Sequence, residues 1–123
     1  MPDRLNFPTV KKIGLLLPGV KEGTTYGSPA LKVRGDLLAC IAIHKSAEPN
    51  TLALRCSFEE RDTLIAEDPA TYYVTDHYLN YPCVLARMTR LKEDAVRDLL
   101  RMSWNFVTAK RRKQLARPKS VGR

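Results

Sequence analysis

The stretch Leu17 to Gly35, which reads LPGVKEGTTYGSPALKVRG, decides the fold of this chain. It holds four of the six glycines and two of the eight prolines, and short runs with strand character lie between them. Glycine is favoured where the backbone needs a positive φ or where two backbones approach closely. This spacing predicts a strand over 20–26, a turn at 27–29 and a second strand over 30–34.

Hydrophobic periodicity on both sides of this stretch predicts the remaining elements. Apolar residues three and four apart predict helices that begin at Pro8, at Ser57 and near Leu91, and Ser57 with Glu60 has the pattern of a capping box. Further strands are predicted over 37–44, 51–56, 71–75 and 83–88. Short turns between the first strands indicate antiparallel hairpins. We therefore expect an α+β fold, a single compact domain whose curved, mainly antiparallel sheet packs against helices.

Charge is distributed unevenly along the 123 residues, whose formal net charge is +8. Seven basic residues and no acidic residue lie between positions 110 and 123, so the rest of the chain carries a net charge of only +1. We predict a folded domain over 1–109 and a flexible basic C-terminal tail over 110–123. Such a tail can attract polyanions through counterion release, or it can be a solvated terminus that aids solubility.

Cysteine usage and hydropathy indicate the compartment. Cys40, Cys56 and Cys83 are odd in number and form no CxxC pair, which is typical of reduced thiols in the cytoplasm. No run is long and apolar enough for a membrane span, and the N-terminus lacks the pattern of a signal peptide. We expect a cytoplasmic protein without a membrane partner.

Catalytic and metal-binding patterns are weak in this sequence. Asp76 and His77 are adjacent, and neighbouring residues on extended backbone point to opposite sides. Cys83 could act as a nucleophile beside His77, but no third residue is evident that would orient such a pair. Isolated histidines and cysteines lack metal-ligand spacing, and the glycines match no nucleotide-binding pattern. We expect a non-catalytic protein with no metal and no cofactor.

Basic residues on strands and in the tail support a first hypothesis, binding of DNA. Lys32 and Arg34 are expected to share one strand face, which other strands could extend, and nearby tyrosines could stack on bases. The same alternation is also ordinary for the solvent face of a sheet. The residues predicted to bind nucleic acid are Lys32, Arg34, Arg55, Arg87, Lys110, Arg111, Arg112 and Lys113.

A second hypothesis is a pocket protein. It predicts a concavity between the glycine-rich turn and the loop over 76–82, which would bind a small anionic metabolite or a peptide of a partner protein. The residues predicted to line this pocket, together with Lys32, are Tyr26, Ser28, His77, Tyr78 and Tyr81.

Several blocks of the sequence resemble the MmcQ/YjbR family. The resemblance runs from about Ile13 to Arg112 and is carried by blocks that occur in the family's order. These blocks are LPGV at 17–20, GTTYGSPALKVRG at 23–35, LALRC at 52–56, EER at 59–61, DP at 68–69, YYVTDHY at 72–78, YP at 81–82 and Trp104.

The resemblance implies a fold similar to the frataxin-like, CyaY-like group, in which helices back a curved antiparallel sheet. It also implies DNA binding through a double-wing arrangement, the usual description of this family, and it carries over no catalytic residue. Leu31, Cys40 and Cys83 depart from the family's pattern. Cys40 stands where a basic residue is common, and this removes a candidate phosphate contact.

Overall fold

Six strands in one antiparallel sheet dominate the computed structural model, which describes residues 5–116 and the side chains of residues 5–109. The strands are arranged in the order β1-β2-β3-β4-β6-β5. This architecture confirms the predicted α+β fold. The elements are α1 (Phe7–Gly14), β1 (Val20–Thr25), β2 (Ser28–Val33), β3 (Asp36–Ile41), β4 (Thr51–Arg55), α2 (Phe58–Glu67), β5 (Tyr72–Tyr73), β6 (Cys83–Arg87), a 3-10 turn (Met88–Arg90) and α3 (Glu93–Ala116).

Helix α3 continues past residue 109, where the sequence predicts the domain to end, and includes the backbone of 110–116. The side chains of 110–116 and the whole of 117–123 lie outside the described residues. Within the part that is described, no helix is both long and apolar enough to cross a membrane.

Two tight turns set the register of β1, β2 and β3. Tyr26 and Gly27 have φ of 50° and 78°, and Arg34 and Gly35 have φ of 54° and 84°. Positive φ at both central residues is the mark of type I′ turns, whose twist matches that of the flanking strands. The predicted ends of the first two strands are therefore wrong, because positions 26 and 34 belong to turns. The prediction that Arg34 shares a strand face with Lys32 fails for the same reason.

Pairing across the sheet aligns small side chains on one face. Gly23 pairs with Ala30, Ala30 with Cys40 and Cys40 with Ala53, and the row then continues to Leu85 and Tyr73. We call Gly23, Ala30, Cys40 and Ala53 the small-residue row, and the sheet face that bears it the open face.

The opposite face carries the main core. Leu31, Leu52, Leu54 and Val84 are fully buried there, in one cluster with residues of α1 and α3. The indole Nε1 of Trp104 in α3 donates a hydrogen bond of 2.9 Å to the carbonyl oxygen of Pro18, which ties this helix to the turn before β1. Most of the large buried apolar residues thus lie on one side of the sheet with α1 and α3, and loops flank the open face.

Helix α2 begins where the sequence predicts. The hydroxyl of Ser57 accepts the amide of Glu60 at 3.0 Å, and the carboxylate of Glu60 accepts the amide of Ser57 at 2.9 Å. This reciprocal pair is the predicted capping box. Strand β5 is shorter than predicted and comprises Tyr72 and Tyr73 alone, because their pairing with β6 extends over two residues only.

The turn geometry predicts opposite effects for two glycine substitutions. Gly35→Ala places a side chain at a φ of 84° and should lower the free energy of unfolding by about 1–2 kcal/mol. At Gly23, whose φ is not positive, the atoms nearest to an added Cβ are side-chain carbons of Lys32, at 3.5 to 3.9 Å, which is ordinary van der Waals contact. Gly23→Ala should therefore leave stability unchanged or raise it by up to about 1 kcal/mol. Urea unfolding of both variants measures the difference, and a larger loss at position 23 than at 35 would contradict this account of the register.

Candidate ligand cavity

A cavity of about 660 Å³ lies on the open face. Its floor includes Cys40 and Ala53 of the small-residue row, and its sides come from the β1–β2 turn, the chain after β3 and the loop before β6. Side chains as small as these leave space above the sheet, and aromatic residues line its sides. The cavity exists because a row of small side chains crosses the sheet where the loops rise on either side.

Four of the residues predicted for the pocket come together around this space. Tyr26, His77, Tyr78 and Tyr81 all line the cavity. Ser28 does not, because its side chain is buried and its hydroxyl donates a 2.9 Å hydrogen bond to the carbonyl oxygen of Ile41. The concavity lies between the glycine-rich turn and the loop over 76–82, the place that the sequence indicates.

The basic residues predicted to bind nucleic acid are dispersed among the described residues. Lys32 lies on the open face, where its aliphatic chain covers Gly23. Arg34 is exposed in a turn. Arg55 lines the cavity, and Arg87 lies at the opposite end of the β4–β6 pair. For 110–113 the structure describes only the backbone, which is part of α3.

Arg87 is engaged in structural contacts. Its Nε and Nη2 donate to the two carboxylate oxygens of Glu48 at 2.8 and 2.7 Å, and its Nη1 donates to the carbonyl oxygens of Pro69 and Ala70. The guanidinium also lies 4.3 Å from the centre of the Tyr73 ring. The hydrogen bond from Arg87 lowers the pKa of the Glu48 carboxyl. Arg87 thus joins the loop before β4 to β5, and its donors are used within the protein.

Arg55 is the basic residue of the cavity. Its guanidinium carbon lies 4.9 Å from the centre of the Tyr81 ring and 5.3 Å from that of Phe106. Its Nε donates a 3.1 Å hydrogen bond to the carbonyl oxygen of Pro82. Two aromatic rings and one carbonyl therefore fix the position of this cation at the edge of the cavity.

A stacked pair of histidines forms part of the cavity wall. The rings of His44 and His77 lie 3.4 Å apart between centroids with an interplanar angle of 8°, and Tyr78 meets the His77 ring edge-on at 4.8 Å. The Nδ1 of His44 accepts the backbone N–H of Ser46 at 3.0 Å. Because Nδ1 is an acceptor in this geometry, the neutral ring carries its proton on Nε2.

The surroundings of His44 favour its neutral form. Partial desolvation of the imidazole lowers its pKa, and repulsion by His77 and Lys45 lowers it further. No local sequence pattern relates His44 to His77, so the sequence predicts no role for His44, and the two rings meet only through the tertiary fold.

Burial keeps the cysteines of the cavity protonated. It raises the pKa of Cys40 and of Cys83 to about 11, and that of Cys56 on the helix side to about 12. All three are free thiols. Burial also raises the pKa of the Tyr78 hydroxyl. The floor therefore presents neutral, weakly polar groups to the cavity.

Comparison with known proteins identifies the family. The model of the YjbR family matches residues 15–106. This chain belongs to the YjbR family. The resemblance noted in the sequence is thereby confirmed, and the matched region extends from the residues after α1 to the middle of α3.

Structural comparison finds the same fold in a solved protein. The chain is similar to the crystal structure of the Deinococcus radiodurans protein DR2400, a DUF419 domain, with a TM-score of 0.71 and 21% sequence identity. The superposition covers 99% of this chain and 95% of that one. At this identity the likeness shows a shared fold. No curated protein matches the chain.

The stacked histidines predict a pH dependence. In NMR titrations of the ring protons, His44 should titrate below the ordinary histidine value of 6.5. His77→Gln removes the ring that desolvates His44 and the charge that repels it, so this substitution should raise the pKa of His44. An unchanged pKa of His44 in the variant would contradict the role of the stack.

The sign of the effect on stability follows from the direction of this shift. Because the pKa of His44 is lower in the folded chain than in the unfolded chain, the unfolded chain binds the proton first as the pH falls. The stabilising contribution of neutral His44 is complete above pH 6.5, which is the pKa of this residue in the unfolded chain. It is lost as the pH falls through the lower pKa of the folded chain. Urea unfolding measured across this pH range should show a smaller loss of stability in His77→Gln than in the wild type.

Proposed function

We propose that this protein is a non-catalytic ligand-binding protein whose cavity on the open face takes a small organic anion. The observation that carries the proposal is the position of Arg55 at the edge of a cavity whose described lining contains no Asp or Glu. A fixed cation without a carboxylate among its lining neighbours favours an anionic ligand.

Size and lining support the same proposal. Small-molecule sites usually enclose about 300–1,000 Å³ and combine apolar or aromatic walls with a few polar groups. This cavity has a volume of about 660 Å³ and three tyrosines in its wall, with neutral thiols and alanines beneath them. Such a lining favours an organic molecule with an apolar part over a strongly hydrated ion.

The proposal that the protein is non-catalytic rests on the states of Cys83 and His77. A cysteine nucleophile needs a lowered pKa or a base within hydrogen-bond reach. Burial raises the pKa of Cys83 to about 11, and the ring of His77 stacks on His44.

Free thiols at all three cysteines also fit the cytoplasm, which we propose as the compartment.

DNA binding is the second candidate and is favoured by charge. The net charge of +8 and the basic run at 110–113, which continues α3, supply an attraction to polyanions. This candidate is weaker because the donors of Arg87 are used by Glu48, Pro69 and Ala70, and because Lys32 and Arg34 do not share a face.

Chemical-shift mapping of the full chain tests the proposal. A library of small carboxylates and phosphates is titrated into the ¹⁵N-labelled protein. We expect some members to shift the amide signals of Cys40, Ala53 and Arg55. Ala53→Leu places a larger side chain in the floor of the cavity. This side chain would clash with the ligand and should weaken its binding at least about tenfold. Ala66→Leu, the same substitution at an exposed position of α2, is the matched control and should bind as the wild type does.

Two outcomes would contradict the proposal. One is a library without a single member that shifts the cavity amides. The other is equal binding by Ala53→Leu and wild type. The nucleic-acid candidate is tested in parallel with a DNA duplex and a single strand at low salt, where it requires binding whose log–log salt slope is about −0.9 per phosphate neutralised on duplex.

A further inference from the structure

We propose that the ligand of this cavity is a planar aromatic carboxylate, held by Arg55 at its carboxylate and by Tyr26 at its ring. This inference rests on the proposed function and specifies the class of molecule that the same site takes. Three features carry it: the free donors of Arg55, the cost of placing a tyrosine in the β1–β2 turn, and the low floor between them.

Arg55 retains the donors that a carboxylate needs. Within the described residues, Arg55 donates one hydrogen bond to the protein, from its Nε to the carbonyl oxygen of Pro82. The rings of Tyr81 and Phe106 hold the guanidinium in place and accept no conventional hydrogen bond from it. The two Nη groups remain for a ligand, and a guanidinium with its position fixed pairs with a carboxylate through two parallel hydrogen bonds.

Tyr26 occupies a position that local structure does not favour for tyrosine. Its φ is 50° and the residue is 94% exposed. The first central position of a type I′ turn is usually Asn, Asp or Gly, and another residue there costs about 1–2 kcal/mol. In the free protein this ring gains almost nothing from burial, yet it lines the cavity. A ligand that stacks on the ring supplies the compensating interaction, because aromatic pairs contribute about 0.5–1.5 kcal/mol beyond their buried area.

The floor favours a flat molecule. Cys40 and Ala53 are small neighbours on adjacent strands, so they form a low surface against which a ring can lie. The wall above them contains the stacked rings of His44 and His77 and the edge-on ring of Tyr78. These surfaces are complementary to aromatic faces and edges, whereas a bulky saturated ring would meet them with fewer contacts.

A matched set of ligands tests this class on the full chain. The probe is 2-naphthoate. Decalin-2-carboxylate retains the charge and the carbon skeleton without the aromatic rings, and 2-naphthamide and 2-naphthylmethylamine retain the rings without the anion. Calorimetric titration should give the lowest Kd for 2-naphthoate, with each of the other three weaker by at least about fivefold, as expected from the loss of one stacking or one ionic contact.

Two variants assign the contacts. Tyr26→Asn should weaken 2-naphthoate about three- to tenfold, the equivalent of the stacking contribution. Because Asn suits the turn, the same variant should unfold at higher urea than the wild type. Arg55→Gln should weaken 2-naphthoate at least about tenfold and leave 2-naphthamide unchanged. Arg34→Gln, which removes a positive charge at the β2–β3 turn, outside the residues that line the cavity, is the matched control and should leave both affinities unchanged.

The outcomes separate this inference from the function on which it rests. If decalin-2-carboxylate shifts the cavity amides and binds as tightly as 2-naphthoate, the aromatic class is wrong and the proposed binding of a small organic anion stands. If 2-naphthamide or 2-naphthylmethylamine does so, the preference for an anion is wrong, and the proposed function is wrong with it. If 2-naphthoate binds with equal affinity to wild type and Tyr26→Asn, the role of Tyr26 is wrong. If neither this set nor the wider library shifts any cavity amide, both proposals are wrong.

Discussion

Two turns with positive φ at both central residues hold the first three strands in register, and the rest of the open face depends on them. A two-residue turn fixes which residues face each other on the two strands that it joins. The turns therefore set the pairing of β1 with β2 and of β2 with β3. The register places Gly23, Ala30 and Cys40 in one row, which Ala53 of β4 continues. A shift by one residue would send these side chains to the helix side and large ones to the open face.

The two faces of the sheet therefore serve different purposes. Leucines and valines on the helix side pack with α1 and α3 and supply most of the buried apolar surface. The small side chains on the open face bury little apolar surface. They leave a cavity whose walls come from Tyr26 and from residues of two loops. Membership of the YjbR family explains the overall fold. The function has to be argued from the cavity itself, because one fold can carry many functions.

Features determined by short-range interactions could be predicted from the sequence. The capping box of Ser57 and Glu60 and the start of the long third helix depend on residues within one helical turn of each other. The tips of the first two hairpins were misplaced because Tyr-Gly and Arg-Gly are not the Asn-Gly pattern by which a type I′ turn is recognised. Contacts such as that of Arg87 with Glu48, or of His44 with His77, join residues far apart in the chain. They depend on strand order, which no local pattern specifies.

The central claim is that the cavity on the open face is the place where this protein binds its ligand. Intermolecular NOEs between 2-naphthoate and the uniformly ¹³C-labelled full chain test it most directly. The account predicts NOEs from the naphthyl protons to the methyl group of Ala53 and to the ring of Tyr26, both of which line the cavity. NOEs confined to α3, or to Lys32 and Arg34, would place the ligand on a different surface and contradict the account.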